Sequence, residues 1–358
     1  MNSEASIVHS SNFSNPYSLT NLWRALNRPQ FDNSPPAPPN IAIPDDWDIF
    51  KHSYQYDHLP QESDIYHSPS RTNQTKGTIF YSLGWKTHPL EKLSVIEDLQ
   101  HSGYDVIIMP LVESHNKIGT MAENITRMGT ALFDENSIIH DLKAPDSPLF
   151  VMTHSTSATV FEMAQLNAKS INPYNIPRID LVVHTNPFIN ARGASEEENP
   201  ILSKIYKWHA NRHFNEHAGV PLLDRAFYFT QGLTEQLIHG DPRGRPTHGQ
   251  VLEISSYGNR LLKSRNFAER SDPPIVAYLS SNDDFADPKT AKKYFNTKPN
   301  TRHIYIEEAG HNILLQDNLR SKIIDLFDAE DEKYSADIRS QYDTPPPTER
   351  HTDDHPAL

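Results

Sequence analysis

The chain has 358 residues, with 33 lysines and arginines against 46 acids, 28 prolines and no cysteine. Without cysteine there are no disulfides, no thiolate metal sites and no thiol nucleophile. A net charge of −13 opposes non-specific binding to nucleic acid, whose phosphates it would repel, so no nucleic-acid partner is expected.

The excess charge sits at the ends. Residues 1–76 carry 8 acids and 5 bases, residues 77–327 carry 29 and 25, and residues 328–358 carry 9 and 3. The opening MNSEASIVHSSNFSN has neither the basic nor the apolar region of a secretory signal. No run approaches the roughly 18 apolar residues of a membrane-spanning helix. A soluble, cytoplasmic protein with no transmembrane segment is therefore expected; oligomeric state is not legible.

In chain order, residues 1–50 read as a poorly ordered lead-in, proline-rich from Arg28 to Asp45. Residues 51–327 read as one domain. Gly77–Leu83 (GTIFYSL) is an apolar run suited to a buried strand, followed by the loop Gly84–His88. Pro89 opens a helix whose Leu90, Leu93, Ile96 and Leu99 share a face, and Gly103 stops it. Tyr104–Val112 predicts the next strand, and Met121, Ile125 and Met128 a looser helix.

Leu149–Met152 is a third strand and Ser157–Leu166 a helix apolar on most sides. Ile179–Val183, Ile275–Leu279 and His303–Ile306 add three strands, and Ile313–Phe327 an amphipathic helix. The alternation predicts an α/β fold with a mostly parallel sheet and helices on both faces. The interval from about 187 to 270 breaks this rhythm and reads as a helical cap insertion. Its aromatics, such as Trp208 and Phe227, suit either an acyl pocket or packing against the sheet. Residues 328–358, acidic and without apolar period, read as a disordered tail.

Chemistry in parallel sheets collects beyond the carboxyl ends of the strands. After Leu149–Met152 comes Thr153-His-Ser-Thr-Ser157, where Ser155 can sit on a sharp strand-to-helix turn. A serine hydroxyl needs a base. His311, in Glu308-Ala-Gly-His-Asn312 after the last strand, is the candidate. Asp283, Asp284 and Asp287, after Ile275–Leu279, are the candidate acids that would orient it.

Other histidines carry less. His154 reads as structural or as a pocket wall. His209, His213 and His217 share a helical face but have no further ligand nearby, so a solvated face is expected and no metal or cofactor. Glu196–Glu198 reads as a solvated charge run.

These motifs resemble the α/β-hydrolase superfamily, in particular its lysophospholipase, monoacylglycerol lipase and serine aminopeptidase branch. The resemblance spans about Gly77–Phe327. Thr153–Ser157 is similar to the Gly-His-Ser-x-Gly elbow, Asp283–Pro288 to the acid-bearing Asp-x-x-Val/Ala stretch, and Ala309-Gly-His311 to the family's Gly-His. Leu83–His88 is similar to the His-Gly oxyanion loop. The resemblance implies Ser155 as nucleophile, Asp283 as acid, His311 as base, and the backbone N–H groups of Trp85 and Thr156 as oxyanion donors. The chain departs from the pattern at Thr153 and Ser157, where the family has glycine, and at Leu83, where it has histidine.

The expected activity is a serine hydrolase acting on carboxylic esters, lipid-like ones above all. The alternatives are an aminopeptidase or amidase, with Glu196–Glu198 holding the substrate ammonium, and a catalytically weak hydrolase-fold binding protein.

Overall fold

The structure is a computed structural model that describes residues 42–85, 87–112, 120–134, 137–144, 146–171, 177–190, 204, 208, 248–264, 272–283, 286–307 and 309–343. Its strands are β1 Asp48–Tyr56, β2 Leu59–Ser68, β3 Gly77–Ser82, β4 Tyr104–Met109, β5 Leu149–His154, β6 Leu181–Thr185, β7 Ile275–Ser280 and β8 Thr301–Ile306. The helices are α1 Leu93–His101, α2 Thr120–Phe133, α3 Ile138–Leu142, α4 Thr156–Ile171, α5 His248–Lys263, α6 Pro288–Phe295 and α7 Asp317–Asp343.

The eight strands form one sheet in the order β1-β2-β4-β3-β5-β6-β7-β8. From β4 to β8 every pairing is parallel, while β1 and β2 add an antiparallel edge. Successive side chains in a strand point to opposite faces. Phe80, Ile107, Val151, Val182 and Ala277 accordingly face one core with α2, α4 and α6. Ile79, Val106, Met152, Val183 and Tyr278 face the other with α1 and α7. Both faces of the central strands are therefore covered, which is why they read as continuous apolar runs.

Two expected boundaries move. The domain begins before residue 51, because β1 starts at Asp48 and pairs along its whole length with β2. Asp57 and His58 both have positive φ, 52° and 62°, as the two-residue turn of a hairpin requires. Neither strand is apolar enough to stand out in sequence. Their burial comes from packing on α2, where the Tyr54 hydroxyl donates to Glu123 (2.8 Å) and the buried Arg127 donates to the Asp64 carbonyl (2.8 Å).

Past residue 328, where the tail was expected to begin, α7 continues to Asp343. Phe327 packs on Phe150 and Tyr104. The next residue, Asp328, accepts hydrogen bonds from the Tyr104 hydroxyl and Lys76 Nζ, each at 2.7 Å. Further along, Arg178 lies over the Tyr334 ring. Contacts with distant residues hold a helical stretch whose own composition is acidic.

Most of the interval 187–270 lies outside the described residues, including Glu196–Glu198, His209, His213, His217 and Phe227. Its last part, α5, packs against α4 and α2, with Ile254 and Leu261 in the first core. Gly258 permits this approach, because a Cβ there would collide with the Ile189 carbonyl. Among the described residues no helix is long and apolar enough to cross a membrane.

Candidate active site

At the carboxyl end of the sheet, β5 turns into α4 through a single residue, Ser155. Its φ is +57°, the left-handed region that a side chain adopts only when its surroundings hold it there. The hold is visible. Ser155 N–H donates to the Thr185 carbonyl (3.0 Å), and the Ser155 carbonyl accepts from Phe188 N–H and Ala158 N–H (3.0 and 3.1 Å). Thr156 is the first residue of α4, so its N–H is one of those the helix leaves without an intrahelical acceptor.

The turn is crowded from the side of the oxyanion-like loop. A Cβ at Gly84 would lie 3.0 Å from the His154 ring and 3.3 Å from Ser155 Cβ, so any side chain there would press the loop and the turn apart by a few tenths of an ångström. Trp85 follows it, half-buried against the first core. Leu83 is fully buried in the second core, where a histidine would need a polar partner.

The two residues that stand for glycines are both engaged. The Ser157 hydroxyl accepts from His154 N–H (2.9 Å) and lies between the carbonyls of Ser82 (2.8 Å) and His154 (2.9 Å). It thereby ties the turn to the end of β3. Thr153 Oγ1 lies 2.7 Å from His184 Nδ1, and His184 Nε2 lies 3.1 Å from Glu162 Oε1 on α4. Glu162 also accepts from the Tyr294 hydroxyl and pairs with Lys298 (2.6 Å). Burial by itself would raise the Glu162 carboxyl, but the Lys298 ammonium and the His184 hydrogen bond outweigh it and hold the group well below its usual range.

Asp283 and His311 come together. His311 Nδ1 lies 2.8 and 2.9 Å from the two Asp283 carboxylate oxygens. Asp283 is buried, and one of its oxygens also accepts from Ala286 N–H (2.9 Å). Since Nδ1–H donates its hydrogen bond to the Asp283 carboxylate, the basic lone pair of a neutral His311 is on Nε2. Asp287 is placed elsewhere: it caps α6, accepting from Lys289 N–H (3.1 Å), Thr290 N–H (3.2 Å) and the Thr290 hydroxyl. Asp284 lies outside the described residues.

His154 is buried, with its ring centroid 5.0 Å from that of His311 and its Nδ1 3.1 Å from Thr185 Oγ1. Burial pushes its pKa well below the usual histidine range, and the charges of His311 and Lys92 push the same way. It stays neutral beside His311. Lys92, just after the oxyanion-like loop, is itself buried and donates to Asn312 Oδ1 (3.1 Å). Burial lowers its pKa too.

Asn186, Thr185, Lys92 and Asn312 all bear on this site, and none stands out in the sequence. The one available signal was the Asn186-Pro187 pair directly after a buried strand, a turn dipeptide.

Solved structures share this architecture. A carboxyl esterase from Bacillus coagulans superimposes with a TM-score of 0.55 at 11 % identity, covering 79 % of this chain and 99 % of the other. The fold is that of the α/β hydrolases. A soluble variant of monoglyceride lipase from Saccharomyces cerevisiae, solved with a substrate analog, gives a TM-score of 0.53 at 16 % identity over 84 % of this chain and 99 % of its own. One of two esterases from Rhizomucor miehei gives 0.50 at 15 % identity, over 82 % of this chain and 87 % of its own. No protein-family model and no curated protein matches the chain. Its likeness to the α/β hydrolases is one of fold, and the site's chemistry has to be argued from its own residues.

Proposed function

We propose that the chain is a serine hydrolase of carboxylic esters, with Ser155 as nucleophile, His311 as base and Asp283 as the acid that orients it. The observation that carries this reading is the coincidence of Ser155 at φ +57° on a strand-to-helix turn with an Asp283–His311 pair at 2.8 Å, both at the carboxyl end of one sheet. A serine on a strained strand-to-helix turn is the arrangement of a nucleophile elbow, and a carboxylate-held imidazole supplies the base that the hydroxyl, on a residue 6 % exposed here, lacks.

The steps follow from the atoms. His311 Nε2 takes the Ser155 proton as Oγ attacks the ester carbonyl. The N–H groups of Thr156 and Trp85 hold the resulting oxyanion. The tetrahedral intermediate collapses, His311 gives its proton to the departing alkoxide, and an acyl group remains on Ser155. Water, deprotonated by His311, then attacks the acyl carbonyl; as the acyl–oxygen bond breaks, His311 returns the proton to Ser155 Oγ and the carboxylic acid leaves. Asp283 stabilises the imidazolium that forms in each half-reaction.

The substrate class we assign is lipid-like esters, lysophospholipids or monoacylglycerols. The sequence resemblance and the monoglyceride lipase among the structural neighbours support it. A fluorophosphonate probe is expected to label the wild-type protein at Ser155 and to leave Ser155→Ala unlabelled. Labelling of that variant places the nucleophile elsewhere, and a folded wild-type protein that never labels overturns the reading. A panel of monoacylglycerol, lysophosphatidylcholine, a p-nitrophenyl ester and an aminoacyl anilide gives the substrate class. A higher kcat/KM on the anilide would sink the ester assignment.

A further inference from the structure

The nucleophile and the base lie on different loops, separated in sequence by residues 156–310. What fixes one relative to the other is the short segment that leaves β6, Thr185–Phe188. On one side it grips the elbow: the Thr185 carbonyl accepts from Ser155 N–H, and Phe188 N–H donates to the Ser155 carbonyl, both at 3.0 Å. The Thr159 hydroxyl of α4 also donates to the Phe188 carbonyl.

On the other side the segment grips the histidine loop, and it does so through Asn186. This residue is buried, has φ +46°, and makes three side-chain hydrogen bonds. Its Oδ1 accepts from Ser280 N–H at the end of β7 (2.8 Å). Its Nδ2 donates to the carbonyls of Gly310 (3.0 Å) and His311 (2.6 Å). A backbone donor on one side and two backbone acceptors on the other leave only this orientation of the amide. Ser280 adds one more bond, its hydroxyl donating to the Ala309 carbonyl. Three consecutive carbonyls of the loop, 309 to 311, are thus held by two side chains from neighbouring strand ends.

We infer that Asn186, seconded by Ser280, is a positioning residue of the ester-hydrolysing site, setting His311 at working distance from Ser155. The inference rests on the hydrolase reading above. Asparagine suits the position twice over. It is among the side chains that best tolerate the left-handed backbone, and it carries on the shorter of the two carboxamide side chains the acceptor and the two donors that the geometry uses. Aspartate would keep the acceptor for Ser280 N–H but would turn an anionic oxygen toward two carbonyl oxygens. Glycine would keep the backbone and lose every side-chain bond.

The test compares full-length wild type, Asn186→Asp, Asn186→Gly and Ser280→Ala. Each is checked for folding by circular dichroism and thermal melting. Each is then assayed on a p-nitrophenyl ester and for its rate of labelling by a fluorophosphonate. Misplacing a reacting group by an ångström can cost on the order of a hundredfold in rate. Asn186→Asp and Asn186→Gly are expected to lose about ten- to a hundredfold in kcat and in labelling rate, with KM unchanged within about twofold. Ser280→Ala is expected to lose less, in the same pattern.

A general loss of folded protein would lower the number of active molecules without slowing labelling of those that remain. Folded 186 variants with wild-type kcat and labelling rate overturn the inference while leaving the hydrolase reading intact. A change confined to KM overturns it as well. Should both 186 variants fail to fold, Ser280→Ala decides, and wild-type kcat there counts against the clamp. If wild-type Ser155 is not labelled at all, the hydrolase reading falls and this inference with it.

Discussion

Two acid–histidine pairs, one reaching from β6 to α4 and one at the carboxyl end of the sheet, differ in an instructive way. At the carboxyl end of the sheet stand Asp283 and His311, beside the turn that bears Ser155. Inside the molecule, against α4, stand Glu162, His184 and Thr153, with spacings of 3.1 and 2.7 Å that mimic an acid, a base and a hydroxyl nucleophile. The inner set is sealed: His184 and Glu162 side chains are both 0 % exposed, whereas His311 is 13 % exposed. In the inner set both imidazole nitrogens are already engaged by protein groups, and Thr153 lies within a strand rather than on a strained turn. The same functional groups make a structural brace in one place and a candidate catalytic site in the other. Access and backbone strain separate them, not chemical identity.

The contrast can be tested from both sides. The largest expected effect is on turnover: His311→Ala should lower ester hydrolysis by on the order of 10⁴-fold or more while the unfolding midpoint stays near that of wild type. A variant that kept appreciable turnover would show that the outer pair is no more catalytic than the inner one.

The inner brace should show the reverse pattern. Glu162→Leu removes the nearer of two carboxylates beside the largely buried Lys298 (2.6 Å, against 3.9 Å to Asp272), and breaking such a buried pair costs up to about 3–5 kcal/mol of stability. Urea denaturation measures the loss. Turnover per folded molecule should hardly change, and a loss of turnover out of proportion to unfolding would blur the comparison.

The smallest effect is on pH dependence. The folded pKa values of both His154 and Glu162 are depressed, from ordinary values of 6.5 and 4.5. A depressed group binds fewer protons when folded than when unfolded, so its contribution is present above its ordinary pKa and is lost as pH falls below it. Each group adds a slope of at most about 1.4 kcal/mol per pH unit. Stability should therefore begin to fall below about pH 6.5 through His154, and more steeply below about pH 4.5 through Glu162. His154→Gln should flatten the first portion of the urea-unfolding profile and Glu162→Leu the second. A profile unaffected by either substitution would mean that neither group carries the linkage.

The central strands were legible because burial on both faces makes them short apolar runs with no polar alternation. Gly77–Leu83, Leu149–Met152 and Ile275–Leu279 all coincide with strands of the sheet. The hairpin β1–β2 was not legible. Its polar strands are buried only on one side and by α2, and its turn uses Asp57 and His58 where a glycine would have signalled it. The far end of α7 failed to show for a related reason. Its acidic composition speaks for solvation, while Asp328 is held by Tyr104 and Lys76, which lie more than two hundred residues earlier in the chain.

The sequence by itself determined which short runs are strands, the α/β class, and the chain order of Ser155, Asp283 and His311, because apolar periodicity and turn chemistry are local properties. Only the tertiary structure showed that Asp283 meets His311 while Asp287 caps a helix, and which of two histidine arrays is sealed. It alone showed that Asn186 reaches a carbonyl 125 residues away. Such contacts depend on which strands become neighbours in the sheet, and residues so distant in sequence have no local pattern through which to announce that they touch.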